Sequence, residues 1–210
     1  AALKKSKVRK AIIDSSVAVA NFISDQMVAY AKGDGYLSLS TKLRYTPSKE
    51  EGRWYPTPPA YIEAVEPNWK AIRPMLIDSC NQFIPPPAVA FSKDSSSAFY
   101  QMAKEVYNVS NSLDSNLMVV AAFWDCNPFA VNTSGHMSIG FKKISPGGHW
   151  MNIAGIAANK AKLSFDKYVL LESMVSLVLF DAFISCWDEK YRSDRIRPET
   201  YINKYIDLKW

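Results

Sequence analysis

Lys190-Tyr191-Arg192-Ser193-Asp194-Arg195-Ile196-Arg197-Pro198 sets two cations seven residues apart and closes on a proline. Seven residues is close to two turns of α-helix, so the spacing predicts that Lys190 and Arg197 share one helical face, with Arg192 and Arg195 turned elsewhere. A compact ammonium and a planar guanidinium on one face form a two-point clamp suited to a small tetrahedral oxyanion. Pro198 disfavours helical geometry at Arg197 and fits the first position of a new helix, Pro198 to about Leu208, which puts Arg197 at a helix junction. Spacing alone does not decide. Asp188 to Pro198 carries four basic and three acidic residues, and such a mixed run is ordinarily a solvated face with weak internal pairs.

Just upstream, Ser164 is placed to cap a helix. From Tyr168 to Trp187 the chain is apolar on nearly every face, interrupted by Glu172, Ser173, Ser176, Asp181 and Ser185. A helix apolar all round belongs at the centre of a bundle, from which it would deliver Lys190 to a site at its end. Its length would span a bilayer. Glu172 and Asp181, however, fall nine residues apart on opposite faces, so burial in protein is expected and no transmembrane segment.

Towards the N-terminus, apolar residues recur at three- and four-residue intervals from Val8 to about Lys32, stopped by Gly33 and Gly35, as in a long amphipathic helix. Residues 36–74 interleave Pro47, Pro56, Pro58, Pro59, Pro67 and Pro74 with Trp54, Tyr55, Tyr61 and Trp69. Such proline density forbids long helices, while the aromatics call for packing, so this segment reads as an ordered wrap. Ser95 or Ser96 is placed to cap a helix to about Val109, and another runs from Ser115 to Trp124 before Asn127-Pro128-Phe129 breaks it. Residues 131–146 read as loop with at most a short extended piece, and Gly147-Gly148-His149-Trp150 leads into a helix to about Lys160. With no strong period-two strand and no repeat, the fold class is all-α, a single helical domain over residues 1–210.

Composition supports a soluble globular chain: 210 residues, 48% hydrophobic and 21% charged. The net charge is +5, but Lys4, Lys5, Lys7, Arg9 and Lys10 crowd the first ten residues, which reads as a solvated end and not a nucleic-acid surface. Cys80, Cys126 and Cys186 lack any C-x2-C spacing, so buried free thiols are expected, without disulfide or zinc. A start at Ala1 without methionine suits a mature chain that has lost a leader.

Phe183-Ile184-Ser185-Cys186-Trp187-Asp188-Glu189-Lys190-Tyr191, followed by Arg197-Pro198-Glu199-Thr200-Tyr201-Ile202, resembles the first signature of the vanadium-dependent haloperoxidase and type 2 phosphatidic acid phosphatase (PAP2) superfamily. Pro67-Asn68-Trp69-Lys70-Ala71-Ile72-Arg73-Pro74, Phe123-Trp124-Asp125-Cys126-Asn127-Pro128 and Pro146-Gly147-Gly148-His149-Trp150 resemble its bacterial haloperoxidase-like branch, and the similarity covers about residues 8 to 210. The resemblance implies an α-helical bundle in which Lys190 and Arg197 bind the equatorial oxygens of vanadate or phosphate. That agrees with the need of a five-coordinate oxyanion centre for fixed cations. It also implies that the acid–base histidine and the apical histidine, the metal ligand or phosphoryl nucleophile, lie in later signatures expected after Trp210. No catalytic residue and no direct metal ligand is therefore expected here.

Thr133-Ser134-Gly135-His136 mimics the second signature, but it precedes Lys190 and has Thr where the family has Pro, so it reads as a decoy. His149, Asp125 and Asp181 are candidate second-shell partners of the cations; a structural hydrogen bond for His149 and a cap or paired carboxylate for the acids are the competing assignments. The resulting expectation is the N-terminal part of a vanadate- or phosphate-binding enzyme. It would oxidise halide with peroxide, with vanadate as cofactor, or hydrolyse phosphomonoesters without a cofactor, and would be inactive alone. Expected partners are a small-molecule oxyanion or phosphoester, no nucleic acid, and either a second copy or the missing C-terminal half. By resemblance the protein is exported. A non-enzymatic helical binding or scaffold protein that keeps the cationic clamp is the alternative.

Overall fold

The computed structural model describes residues 8–58, 61–127, 131–134, 137–140 and 143–210, with backbone alone for 131–140. Its helices are α1 (Lys10–Lys32), α2 (Ala98–Asn111), α3 (Ser115–Trp124), α4 (Pro146–Lys160), α5 (Phe165–Ser193) and α6 (Pro198–Tyr205). Between α3 and α4, β1 (Val131–Ser134) pairs antiparallel with β2 (Met137–Gly140). The architecture is all-α, with this one short ribbon among the described residues where loop is expected. Gly135 and His136 of the Thr133–His136 mimic lie outside the described residues.

The helix starts follow local capping chemistry. The Ser97 hydroxyl accepts from Tyr100 N at 3.2 Å, so α2 is capped one residue beyond the predicted serines, while Asp94 engages Ser96. Asp114 accepts from Leu117 N at 2.8 Å to open α3, and Ser145 accepts from Gly148 N at 3.1 Å to open α4, with Pro146 in its first turn. α1 ends at Gly33. Arg73 grips that end: it donates to the Tyr30 carbonyl at 2.7 Å and lies 3.8 Å over the Tyr30 ring, a cation set against the orphan carbonyls of a helix terminus.

Two buried clusters flank the end of α5. One gathers Phe99, Ala103, Ile196, Tyr201 and Ile202 where α2 packs on α6; the other joins Leu39, Ile72 and Ile184, with Trp69 and Phe180 against them. The proline-rich wrap is laid along the C-terminal half of α5. The Asp181 carboxylate accepts three consecutive backbone N–H groups, from Met75 at 2.7 Å, Leu76 at 2.6 Å and Ile77 at 3.0 Å. One turn and more further on, the Val65 carbonyl accepts from Trp187 Nε1 at 3.0 Å and from the Tyr191 hydroxyl at 2.5 Å.

Three expectations are corrected. The buried residues of α5 are Asp181, Ile184 and Asp188, whereas Val169, Leu170, Met174 and Val178 stay exposed; 11% of its most apolar window is buried. α4 packs along one side and the turn Trp69–Ala71 along another. α5 is long and apolar enough by length and composition to cross a membrane, a profile shared with core helices. Secondly, the apolar stripe of α1 exists but contributes no buried residue. Thirdly, Cys126 is buried and Cys80 partly so, but Cys186 is exposed, because it falls on the uncovered side of α5.

Candidate oxyanion site

α5 ends sooner than the seven-residue spacing requires. Asp194 takes a left-handed conformation, φ 46° and ψ 46°, which terminates the helix after Ser193. The chain then runs extended beside residues 52–54: Asp194 O accepts from Trp54 N at 3.1 Å, and Ile196 N donates to Gly52 O at 2.8 Å. The left-handed backbone and the Phe91 ring packed against it require glycine at 52. Its φ is +79°, and a Cβ there would sit 2.5 Å from Phe91 Cγ. Arg197, at φ −73° and ψ 149°, is the extended residue that Pro198 demands before α6.

Lys190 and Arg197 are therefore brought together by a helix end and a turn, not by one shared helical face, which corrects the helical-spacing argument. The same geometry corrects the placement of Arg195. Freed from the helix, it lines both clefts beside the clamp. One cleft, of about 370 Å³, has a mixed polar and apolar lining and holds Lys190, Tyr191, Arg195, Arg197 and Asn127 with the carboxylates Glu63, Asp194 and Glu199. The other, of about 320 Å³, sets the same three cations against Phe99, Met102, Ala103 and Val106.

The mixed charge run sorts itself into two groups. Arg192 pairs with Asp188 at 3.3 Å and with Glu189, and Lys70 reaches Asp188 at 3.6 Å. The Tyr45 hydroxyl donates to the Asp194 carboxylate. All three acids of the stretch are thus engaged, and among the described residues neither Lys190 nor Arg197 has an ion-pair partner. The Lys190 ammonium instead lies 4.5 Å from the Trp187 ring centroid and 5.4 Å from that of Tyr191. Aromatic faces attract a cation without cancelling its charge. Partial burial, and then the nearby Arg197 guanidinium, hold the Lys190 pKa below the ordinary lysine value. The two cations feel one another across the cleft, and an anion between them would offset their repulsion.

The other candidate residues are placed elsewhere. Asp181 holds the 75–77 backbone. Asp125 is exposed and bonded to Lys143, which, with the Asn127 backbone, lowers its pKa. His149 is buried, its Nδ1 2.7 Å from Cys126 Sγ, between the Phe123 and Trp124 rings at 4.7 and 5.4 Å. None of the three lines either cleft, though Cys126 precedes Asn127, which does. Sequence reasoning missed Trp187, Tyr191 and Tyr45. The first two sit one turn before and one residue after Lys190, a local signal; Tyr45 is 149 residues from Asp194 and gives none.

The signature's two basic positions thus lie on one cleft at the end of a long helix, with no ion-pair partner among the described residues, and comparison with known proteins agrees with the signature. The chain's likeness to a solved structure supports the vanadium-dependent haloperoxidase and PAP2-like superfamily. The chain is similar to a crystal structure described as the first bacterial vanadium-dependent iodoperoxidase, with 44% sequence identity and a TM-score of 0.79 over 90% of this chain. The chain spans 44% of that protein's length. No family model and no curated protein matches it.

Proposed function

We propose that Lys190 and Arg197 bind a tetrahedral oxyanion, vanadate, in a haloperoxidase-like protein. The observation that carries this reading is the sorting of charges: every acid between Asp188 and Asp194 is engaged, and among the described residues the two signature cations have no ion-pair partner on their cleft. The residues fit the group. A compact ammonium and a forked guanidinium supply donors from two directions, and both gain from a dianion that offsets their mutual repulsion. Bound there, vanadate supplies the Lewis-acidic centre at which peroxide is activated towards a halide. The chain's own part is to orient and neutralise: Lys190 is held against Trp187 and Tyr191, and Arg197 is fixed by the extended turn before Pro198. Similarity to an iodoperoxidase supports iodide as the first halide to test.

Vanadium-51 NMR of orthovanadate with the chain, compared with Lys190→Met and Arg197→Met, tests the binding. A bound resonance lost in both variants supports it; equal binding by all three would sink it. Iodide oxidation with peroxide, run beside phosphomonoester hydrolysis, separates haloperoxidase from phosphatase chemistry at the same cations.

A further inference from the structure

Lys190 and Asp194 stand four residues apart at the end of α5, a spacing at which a lysine and an aspartate ordinarily pair. They do not pair. Asp194 turns left-handed, its N–H donates to Lys190 O at 3.3 Å, and its carboxylate is taken by the Tyr45 hydroxyl. The Tyr45 ring is itself fixed from two sides, with centroids 5.2 Å from Tyr191 and 5.8 Å from Trp54. Asp194 nonetheless lines the mixed cleft together with Lys190, Arg195 and Arg197. An unengaged carboxylate there would compete with any incoming anion for the cations of the cleft.

We infer that Tyr45 is a positioning residue that holds the Asp194 carboxylate away from Lys190 and Arg197 and so keeps the clamp's charge available to a tetrahedral oxyanion. This rests on the oxyanion reading of the clamp. The remaining acids of the stretch follow the same logic, since Asp188 and Glu189 are engaged by Arg192 and Lys70. The charged and titratable groups around the Tyr45–Asp194 bond are Arg53 and Tyr191, then Lys190, Arg195 and Arg197 on the cleft, with Glu63 and Glu199 lining it too. Burial, and next the bond to Asp194, push the Tyr45 hydroxyl above its ordinary range, so it stays protonated and a donor near neutral pH.

The inference is tested on the 210-residue chain with Tyr45→Phe, Asp194→Asn and the double variant. Without ligand, the Lys190 Cε resonance is followed by carbon-13 NMR against pH. Tyr45→Phe is expected to raise the Lys190 pKa by about half a unit or more, as a carboxylate moves towards it, and the double variant to restore it. Orthophosphate binding near neutral pH is expected to weaken roughly three- to tenfold in Tyr45→Phe and to recover when Asp194→Asn is added. An unchanged Lys190 titration in Tyr45→Phe, or weakened binding that Asp194→Asn does not rescue, overturns the inference and leaves Tyr45 a packing residue. If Tyr45→Phe does not fold, Asp194→Asn alone reads the same relation, because asparagine tolerates the left-handed turn. A masked Asp194 predicts unchanged Lys190 titration and phosphate affinity; a lower Lys190 pKa with tighter binding overturns it. Loss of orthophosphate binding by the unmodified chain, with the Lys190 response to Tyr45→Phe intact, would instead count against the oxyanion reading alone.

Discussion

Trp187 and Tyr191, one helical turn apart on α5, donate to a single oxygen, the Val65 carbonyl, at 3.0 and 2.5 Å. Both rings that face the Lys190 ammonium are thereby anchored to the proline-rich wrap, 122 and 126 residues away in sequence. The wrap thus fixes the lysine's surroundings without touching its charge.

Tyr191→Phe keeps the ring and removes the donor. Loss of one part-buried hydrogen bond costs about 0.5–1.5 kcal/mol, read as a modest fall in Tm. Spectrophotometric titration gives the signed test. Burial, and then Glu66, push the Tyr191 pKa up to about 12, so the fold favours the neutral phenol. Its contribution is complete below the ordinary tyrosine value near 10 and is lost as pH rises through about 12. One late-titrating phenol should disappear in Tyr191→Phe, while that of Tyr45 is retained.

Asp181→Ala should be far more damaging. It strips the acceptor from Met75, Leu76 and Ile77 N–H together and leaves them facing a buried gap. About 3 kcal/mol or more is expected, measured by denaturant unfolding. Asp125→Asn, on an exposed pair with Lys143, should barely move the same curve.

Gly52→Ala combines a left-handed backbone with a Cβ 2.5 Å from Phe91 Cγ. Roughly 1–2 kcal/mol for the backbone and a further 1–3 for overpacking are expected, and Phe91→Leu in the same chain should recover part of the second. Because Gly52 O receives Ile196 N, the change should also loosen Arg197 and weaken oxyanion binding.

The depressed Lys190 pKa sets the pH dependence of binding. The free fold disfavours the charged lysine; this penalty is present below the folded pKa and is relieved as pH rises towards the ordinary lysine value. Anion binding runs the other way. It requires the ammonium, so affinity should fall as pH climbs through the lowered Lys190 pKa, and binding just above that pKa should take up a proton from buffer. Calorimetry in buffers of different ionisation enthalpy reads that uptake.

Much of this was legible in the sequence because it is local. Helix periods mark α2 to α5 to within a few residues, although Ser97 and not Ser95 or Ser96 caps α2 and Ser164 starts α5 without a side-chain cap bond, and the signature around Lys190 and Arg197 points to the superfamily. What was not legible depends on distant partners. The geometry that joins the two cations comes from the left-handed Asp194 and from pairing with residues 52–54, so a helical wheel drawn through Ser193 misplaces Arg195 and Arg197. The exposed faces of α1 and α5 were hidden for a related reason: an apolar pattern states what a helix can bury, not what covers it.

The central claim is that Lys190 and Arg197 hold one oxyanion between them. A double-mutant cycle on orthovanadate affinity, with Lys190→Met, Arg197→Met and the pair, measures it most directly. The account predicts that each single change weakens binding at least about tenfold and that the double variant loses less than the two losses combined, because one anion serves both residues. Single variants that bind as tightly as the unmodified chain, or losses that add independently, would contradict it.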